Sequence, residues 1–432
     1  MNVTVFGLWH LGCVTAACTA AAGNRVIGLD LDERAVGELR EGRPPIQEPG
    51  LADLIANEAA ADRLKFTSDA SVALRQSAVL WVTFDTPVNE QDEADVEFVR
   101  RQMEQIAPHI VPGTIVLISS QVPVGFTRGL WKSAWGGKMH FAYSPENLRL
   151  GKAIEVFRHP ERIVLGTSDD SVRPKLEALF APFSSRIEWM SLESAEMTKH
   201  AINAFLATSV TFANELARLC ELVGADAKEV ERGLKSEGRI GPKAYLSPGG
   251  AFSGGTLARD LRFLTQFGRE NQIETPLFDG VIAGNELHKR WARDRVRDLM
   301  KGIAHPTVAV LGLTYKPGTD TLRRSESVEL CKWMAQQEFN VRAYDPAIRK
   351  LPDDLKAVIR LCDNAEDALN GAHLAVIATE WPQFKALTAK TFLESMRRPA
   401  ILDQNWFLAS SLGDDRRRLV YAATGRDPNR LQ

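Results

Sequence analysis

Residues 3–12 read VTVFGLWHLG. A short run of β-favouring residues enters a glycine, and beyond Gly12 a small-residue stretch predicts a helix through about Gly23. RVIGLDLD (25–32) then predicts a second strand that ends in Asp30. Strand, glycine turn, helix and an acid about twenty residues further on are the four parts of a dinucleotide-binding βαβ unit. The helix N-terminus faces a pyrophosphate, and the acid bonds a ribose 2′-hydroxyl. An acid at this place favours NAD over NADP. Gly7, Trp9, His10, Leu11, Gly12 and Asp30 are the expected cofactor contacts, with His10 also readable as a plain helix-start residue. Trp9 stands where the fingerprint has its middle glycine, so its side chain must either point away from the ligand or cover its site.

Working outward, the alternation continues through AVLWVTFDTP (78–87), TIVLISS (114–120), HFAYSP (140–145) and ERIVLGT (161–167). Strand-like runs separated by helical segments predict a parallel sheet with helices on both faces, over residues 1–191. From Leu192 the apolar residues recur at three and four, which predicts a helical region over 192–300. It opens with a helix of some thirty residues that breaks at Gly224 and acts as a spacer between two lobes. At Thr307 the strand alternation restarts with TVAVLGLTYK (307–316), FNVRAYDP (339–346), HLAVIATEW (373–381), PAILDQNW (399–406) and RLVYAAT (418–424), giving a second sheet over 301–432. VAVLGL (308–313) repeats the pattern of VTVFGL (3–8), which suggests a distant internal duplication. The expected fold is α/β: two Rossmann-like, doubly wound parallel-sheet domains joined by a central helical domain.

A length of 432 residues suits two or three domains of about 150 residues each. The hydrophobic share of 44% and charged share of 25% fit a soluble globular protein with real cores. A formal charge of -2 without a basic block argues against a nucleic-acid or anionic-membrane partner. The N-terminus enters a strand directly, with neither a signal peptide nor an apolar span, so a cytoplasmic location is expected. Cys13, Cys18, Cys220, Cys331 and Cys362 are scattered singly, as reduced core thiols rather than metal ligands or disulfide partners.

Several longer motifs are more specific: PIQEPGL (45–51), DTPVNEQDEADV (85–96), SSQVPVGFT (119–127), SPENLRLGKA (144–153), NAFLATSVTFANELA (203–217), RIGPKAYL (239–246), LGLTYKPGTDTLRRS (311–325) and TEWPQF (379–384). With these motifs the chain resembles, over essentially its whole length, the nucleotide-sugar dehydrogenases of the UDP-glucose and GDP-mannose type. The resemblance implies two successive NAD-dependent hydride removals at C6 of a nucleotide sugar, with a UDP-sugar favoured. It also implies a cysteine that holds the aldehyde as a thiohemiacetal, then a thioester, and a homodimer paired through its central helices.

The residues of this sequence depart from that pattern where the chemistry lies. SGGTLARD (253–260) sets Thr256 at the cysteine, Arg259 at a cofactor-side lysine and Asp260 at the aspartate. The resemblance puts Ser209 at a lysine that would stabilise an oxyanion, Gln121 at a threonine, Leu150 at a second glutamate after Glu146, and Asn405 at an arginine. Glu146, Asn214, Asp260, Thr256, Ser209 and Gln121 are therefore the expected catalytic positions, Asn214 and Asp260 being equally readable as hydrogen-bonding or capping residues. Thr86, Ser120, Arg259 and Arg323 join the cofactor contacts. Asn203, Arg239, Tyr245, Phe252, Gly254 and Lys316 are the substrate contacts, with Arg239 crossing a dimer interface; for Arg239, Lys316 and Arg323 the alternative is surface or interdomain salt bridging. A threonine hydroxyl is a far poorer nucleophile than a thiolate, so a two-electron oxidation or a redox-neutral conversion such as epimerisation is expected rather than acid formation. A catalytically silent sugar-nucleotide-binding paralogue or partner subunit, and acid formation by a direct hydrated-aldehyde route or another nucleophile, stay open beside it.

Overall fold

The computed structural model describes residues 1–87, 95–132, 138–146, 148–252, 256–323 and 325–426. Gly254 therefore lies outside the described residues, as do 88–94 of the second long motif. The chain divides into two compact units, Met1–Ile202 and Asn203–Gln432, and each holds one sheet.

In the first unit eight strands lie in the order β3-β2-β1-β4-β5-β6-β7-β8. They are β1 (Asn2–Phe6), β2 (Arg25–Leu29), β3 (Leu64–Thr67), β4 (Val79–Val82), β5 (Ile115–Ile118), β6 (His140–Tyr143), β7 (Ile163–Thr167) and β8 (Ile187–Met190). The first six form the 3-2-1-4-5-6 arrangement of a dinucleotide-binding sheet. Both faces of that sheet are buried, which is why its strands read as unbroken apolar runs. Val79 and Trp81 of β4 join the core on one face with Ile115 and Leu117 of β5, while Leu80, Val82, Val116 and Ile118 join the core on the other.

One direction departs from the expected parallel sheet. β7 runs antiparallel to β6, pairing Ala142 with Thr167 and Tyr143 with Gly166. Residues 144–162 carry the short helix Ala153–Arg158 and return the chain to the end of the sheet where β6 stopped, without the crossover that parallel pairing requires.

The second unit repeats the arrangement. β9 (Thr307–Leu311), β10 (Asn340–Tyr344), β11 (Arg360–Leu361), β12 (Leu374–Ile377), β13 (Ala400–Asp403) and β14 (Val420–Ala422) lie in the order β11-β10-β9-β12-β13-β14, all parallel. Counted from its own first strand this is again 3-2-1-4-5-6. The long helix Leu192–Val223 has 32 residues; Ser191 Oγ accepts the Ser194 N–H at its start, and Gly224 at φ +74° ends it. No helix among the described residues is long and apolar enough to cross a membrane.

Candidate active site

At the C-terminal end of β1 the chain turns through Gly7 at φ +96°, with its N–H on the Leu29 carbonyl (3.0 Å). A Cβ on Gly12 would lie 1.8 Å from the Gly7 carbonyl oxygen, so helix His10–Ala21 can approach the strand this closely only with glycine there. Thr83 of the loop after β4 donates to the same carbonyl at 2.9 Å. The helix start has no side-chain cap and no acid in its first turn, which leaves its positive end to an anion. Trp9 stands there 51% exposed, packed into no core. Leu11 is buried, and the His10 imidazole is committed to buried Glu48 at 3.0 Å. Glu48 also accepts the Gly151 and Ala153 N–H groups (2.7 and 2.9 Å), so the glutamate of PIQEPGL fastens its loop to a helix start about a hundred residues away.

Asp30 sits half-buried at the end of β2. It accepts the Leu8 N–H at 2.8 Å and the Asp32 N–H at 3.0 Å, which aims the carboxylate at the turn with acceptor capacity to spare. Thr86 donates to the Gln121 carbonyl (2.7 Å), tying together the loops after β4 and β5. Ser120 beside it is fully buried, and its hydroxyl meets no protein partner among the described residues.

The second unit copies this turn and then closes it. Gly312 has φ +97°, its N–H bonds the Tyr344 carbonyl (2.8 Å), and Leu313 N–H bonds Asp345 (2.7 Å) as Leu8 bonds Asp30. Asp345, however, is fully buried and also accepts Thr314 N–H (2.9 Å), Thr314 Oγ1 (3.1 Å) and Trp381 Nε1 (3.1 Å). Four donors thus converge on one oxygen of a carboxylate that is fully buried, its other oxygen accepting Ala347 N–H (2.9 Å), whereas Asp30 remains half-buried at its turn.

The long helix organises the neighbouring loops of the first unit. Glu196 accepts the N–H groups of Gly125 (2.6 Å) and Thr127 (2.9 Å), and His200 Nε2 meets the Val122 carbonyl (3.1 Å). Burial raises the Glu196 pKa, against the lowering effect of those two amide bonds. One turn on, buried Lys199 donates to the Glu146 carbonyl and lies 3.6 Å from Glu146 Oε1. Ser209, read as standing where a lysine would, thus has a buried lysine ten residues before it on the same helix. Ser209 Oγ donates to the Phe205 carbonyl (2.9 Å), and at 100° per residue it points about 100° away from the shared face of Lys199 and Asn203.

In the second unit Asn203 Nδ2 donates to fully buried Asp260, on helix Thr256–Glu270. Exposed Thr256 opens that helix one turn before Asp260. Asn214 holds a loop, its amide accepting Gly249 N–H (2.9 Å) and donating to the Gly250 carbonyl (3.2 Å), as its hydrogen-bonding reading has it. His288 and Thr424 hold the Gly249 carbonyl, Asn405 accepts Gly250 N–H (2.6 Å), and Asn285 pairs with both backbone groups of Phe252. Ser247 of the same loop donates to Glu231 (2.5 Å). Burial alone would raise the Glu231 pKa, but bonds from Lys228, Lys235 and Ser247 take it down to about 2. Tyr245 is exposed, Lys316 half-buried, and Arg259 half-buried on the helix of Asp260. Arg323 is exposed, and Arg239 has an 89% exposed side chain that donates to Glu237 (2.9 Å), two residues before it.

Three domain models of one family match in register: the NAD binding domain over 1–184, the central domain over 193–287 and the UDP binding domain over 309–409. The chain belongs to the UDP-glucose/GDP-mannose dehydrogenase family. A UDP-glucose 6-dehydrogenase of Bacillus subtilis is 33% identical over 409 residues, covering 93% of each chain. One of Pseudomonas aeruginosa is 33% identical over 421 residues, again 93% of each. The solved UDP-glucose dehydrogenase of Pyrobaculum islandicum superposes with a TM-score of 0.83 at 29% identity, over 98% of both chains.

The cofactor of this dehydrogenase family member is NAD, and the first turn fits it. The close glycine pair, the uncapped helix start and half-buried Asp30 are all at the crossover between β1 and β4. Reading the sequence passed over Lys199, Glu196 and Glu48. The signal for the first two was present: Glu196, Lys199 and Asn203 recur at three and four, a polar stripe on an otherwise apolar helix.

Proposed function

We propose that the chain is a cytoplasmic, homodimeric, NAD-dependent oxidoreductase of a UDP-sugar that stops short of acid formation. What carries this reading is the state of its thiols. Thr256 stands where a nucleophilic cysteine would, and none of the five cysteines can substitute. Burial pushes Cys18 up to about 11 and Cys331 to about 12, and it raises Cys13, Cys220 and Cys362 as well. No thiolate is available at neutral pH to hold an aldehyde as a thioester precursor.

When bound, NAD accepts the hydride from the sugar's C6 carbinol. Glu146 takes the hydroxyl proton, and Lys199, anchored on the Glu146 carbonyl, stabilises the oxygen as negative charge develops. The aldehyde would be released with one NADH formed; because a hydride returned to C6 only regenerates the alcohol, a redox-neutral conversion would instead have to oxidise a secondary ring carbinol and re-reduce it from the other face. Incubation with UDP- and GDP-sugars, followed by NADH absorbance and product mass, is expected to give at most one NADH per converted sugar. Two per sugar would overturn the reading, whereas Thr256→Cys is expected to move the ratio toward two. A wild-type chain that binds UDP-sugar but leaves it unchanged, with no NADH, supports the silent-paralogue reading instead.

The homodimer rests on the outer face of the long helix. Phe205, Phe212 and Leu219 recur every seven residues and are 70%, 49% and 58% exposed, continued by Leu222 and Val223. An apolar row of this regularity fits a second copy of itself, and exposed Arg239, paired with Glu237, would have to exchange that partner to reach across. Light scattering is expected to show a dimer for the wild type and a monomer for Phe212→Glu; a monomeric wild type contradicts the assignment.

A further inference from the structure

We propose that Arg293, seconded by Lys289, is the cation that grips the diphosphate of the nucleotide in the second unit, from the cleft wall opposite Asn405. The inference deepens the nucleotide-sugar reading above and rests on it. A cleft of about 210 Å³ opens at the C-terminal ends of β12 and β13, bounded by Gly250, Ser325, Gln404 and Asn405. This is the crossover between β9 and β12, where a doubly wound sheet takes its ligand.

Asn405 cannot offer an anion a charge, and its Oδ1 is already held by Gly250 N–H. Two cations line the opposite wall four residues apart, Lys289 just before helix Trp291–Met300 and Arg293 within its first turn. Lys289 is paired with Glu286 at 2.8 Å. Arg293 is half-buried, lies 6.0 Å over the Trp333 ring and has no carboxylate within 4.0 Å among the described residues. A half-buried guanidinium without an acid partner, facing a cleft, is poised for a bidentate hold on phosphate oxygens. The cleft's described lining has a single acid, exposed Glu326 at the start of helix Glu326–Gln336, against the two cations.

Calorimetric titration of the full chain with UDP and with uridine tests the assignment, and NAD binding reports the integrity of each variant. Arg293→Met keeps the stem over Trp333 but loses the charge. It is expected to weaken UDP roughly tenfold to a hundredfold, the loss of one or two charge-assisted hydrogen bonds, and to leave uridine unchanged. Arg293→Lys is expected to keep most of the UDP affinity, and Lys289→Met to lose less than Arg293→Met. Should Arg293→Met lose NAD binding too, Arg293→Gln gives the same comparison. UDP affinity of the charge-free variant within about twofold of wild type overturns the assignment alone. A wild-type chain that binds NAD but no UDP overturns the nucleotide-sugar reading and this one with it.

Discussion

Lys199→Met is expected to lower kcat by roughly a hundredfold to a thousandfold, the range observed when one preorganised donor is removed from a developing oxyanion. The effect falls on kcat rather than KM, because the charge it opposes is present in the transition state and not in the bound alcohol. NAD affinity is expected to hold, since the dinucleotide turn is built from β1, β2 and helix His10–Ala21. Lys199→Arg is expected to recover part of the rate. A Lys199→Met enzyme that is folded by its melting curve and turns over at the wild-type rate would remove Lys199 from the reaction.

The largest effect on stability is expected from Gly12→Val. The added Cβ would lie 1.8 Å from the Gly7 carbonyl oxygen and 2.9 Å from Thr83 Oγ1, with backbone rather than a flexible side chain in the way. Helix His10–Ala21 is buried on nearly every face and cannot move out without opening both the strand contact and the core beneath it. A cost above about 4 kcal/mol is expected, read as loss of soluble protein or a fall in denaturation midpoint together with loss of NAD binding. Gly37→Ala provides the contrast in the same unit. Gly37 is inside helix Glu33–Arg40 with nothing within 4 Å of its Cβ position, and alanine there is expected to stabilise by up to about 1 kcal/mol. A Gly12→Val chain that binds NAD like wild type would refute the close-approach argument.

The missing thiol and the present lysine constrain the chemistry differently. On the proposed function, Thr256 in place of a thiol would remove the covalent capture of an aldehyde, whereas Lys199 beside Glu146 would retain the means of moving a proton off a carbinol.

The fold was largely legible in the sequence because its determinants are local. Apolar runs of strand length, a glycine at each first turn and the stop at Gly224 depend on residues within one element of each other, and they gave both sheets and the spacer helix. The NAD fingerprint was legible for the same reason: Gly7, Gly12 and Asp30 fall within one βαβ unit. What only the tertiary structure decided is how polar groups far apart in the chain are paired. The two turns look alike in sequence, yet Trp381 and Thr314 converge on one oxygen of fully buried Asp345, whereas Asp30 remains half-buried. Asn214 and Asn405 could not be assigned to a loop at Gly249 and Gly250 from spacing, nor could Glu48 be assigned to the start of a helix about a hundred residues on. The direction of β7 depended on where residues 144–162 turn back, and Lys199 became visible as a site residue only when the Glu146 carbonyl was placed against it. Periodicity reports which face of an element is buried; which buried polar group meets which partner depends on three-dimensional closure, and the chemistry of this protein rests on those partners.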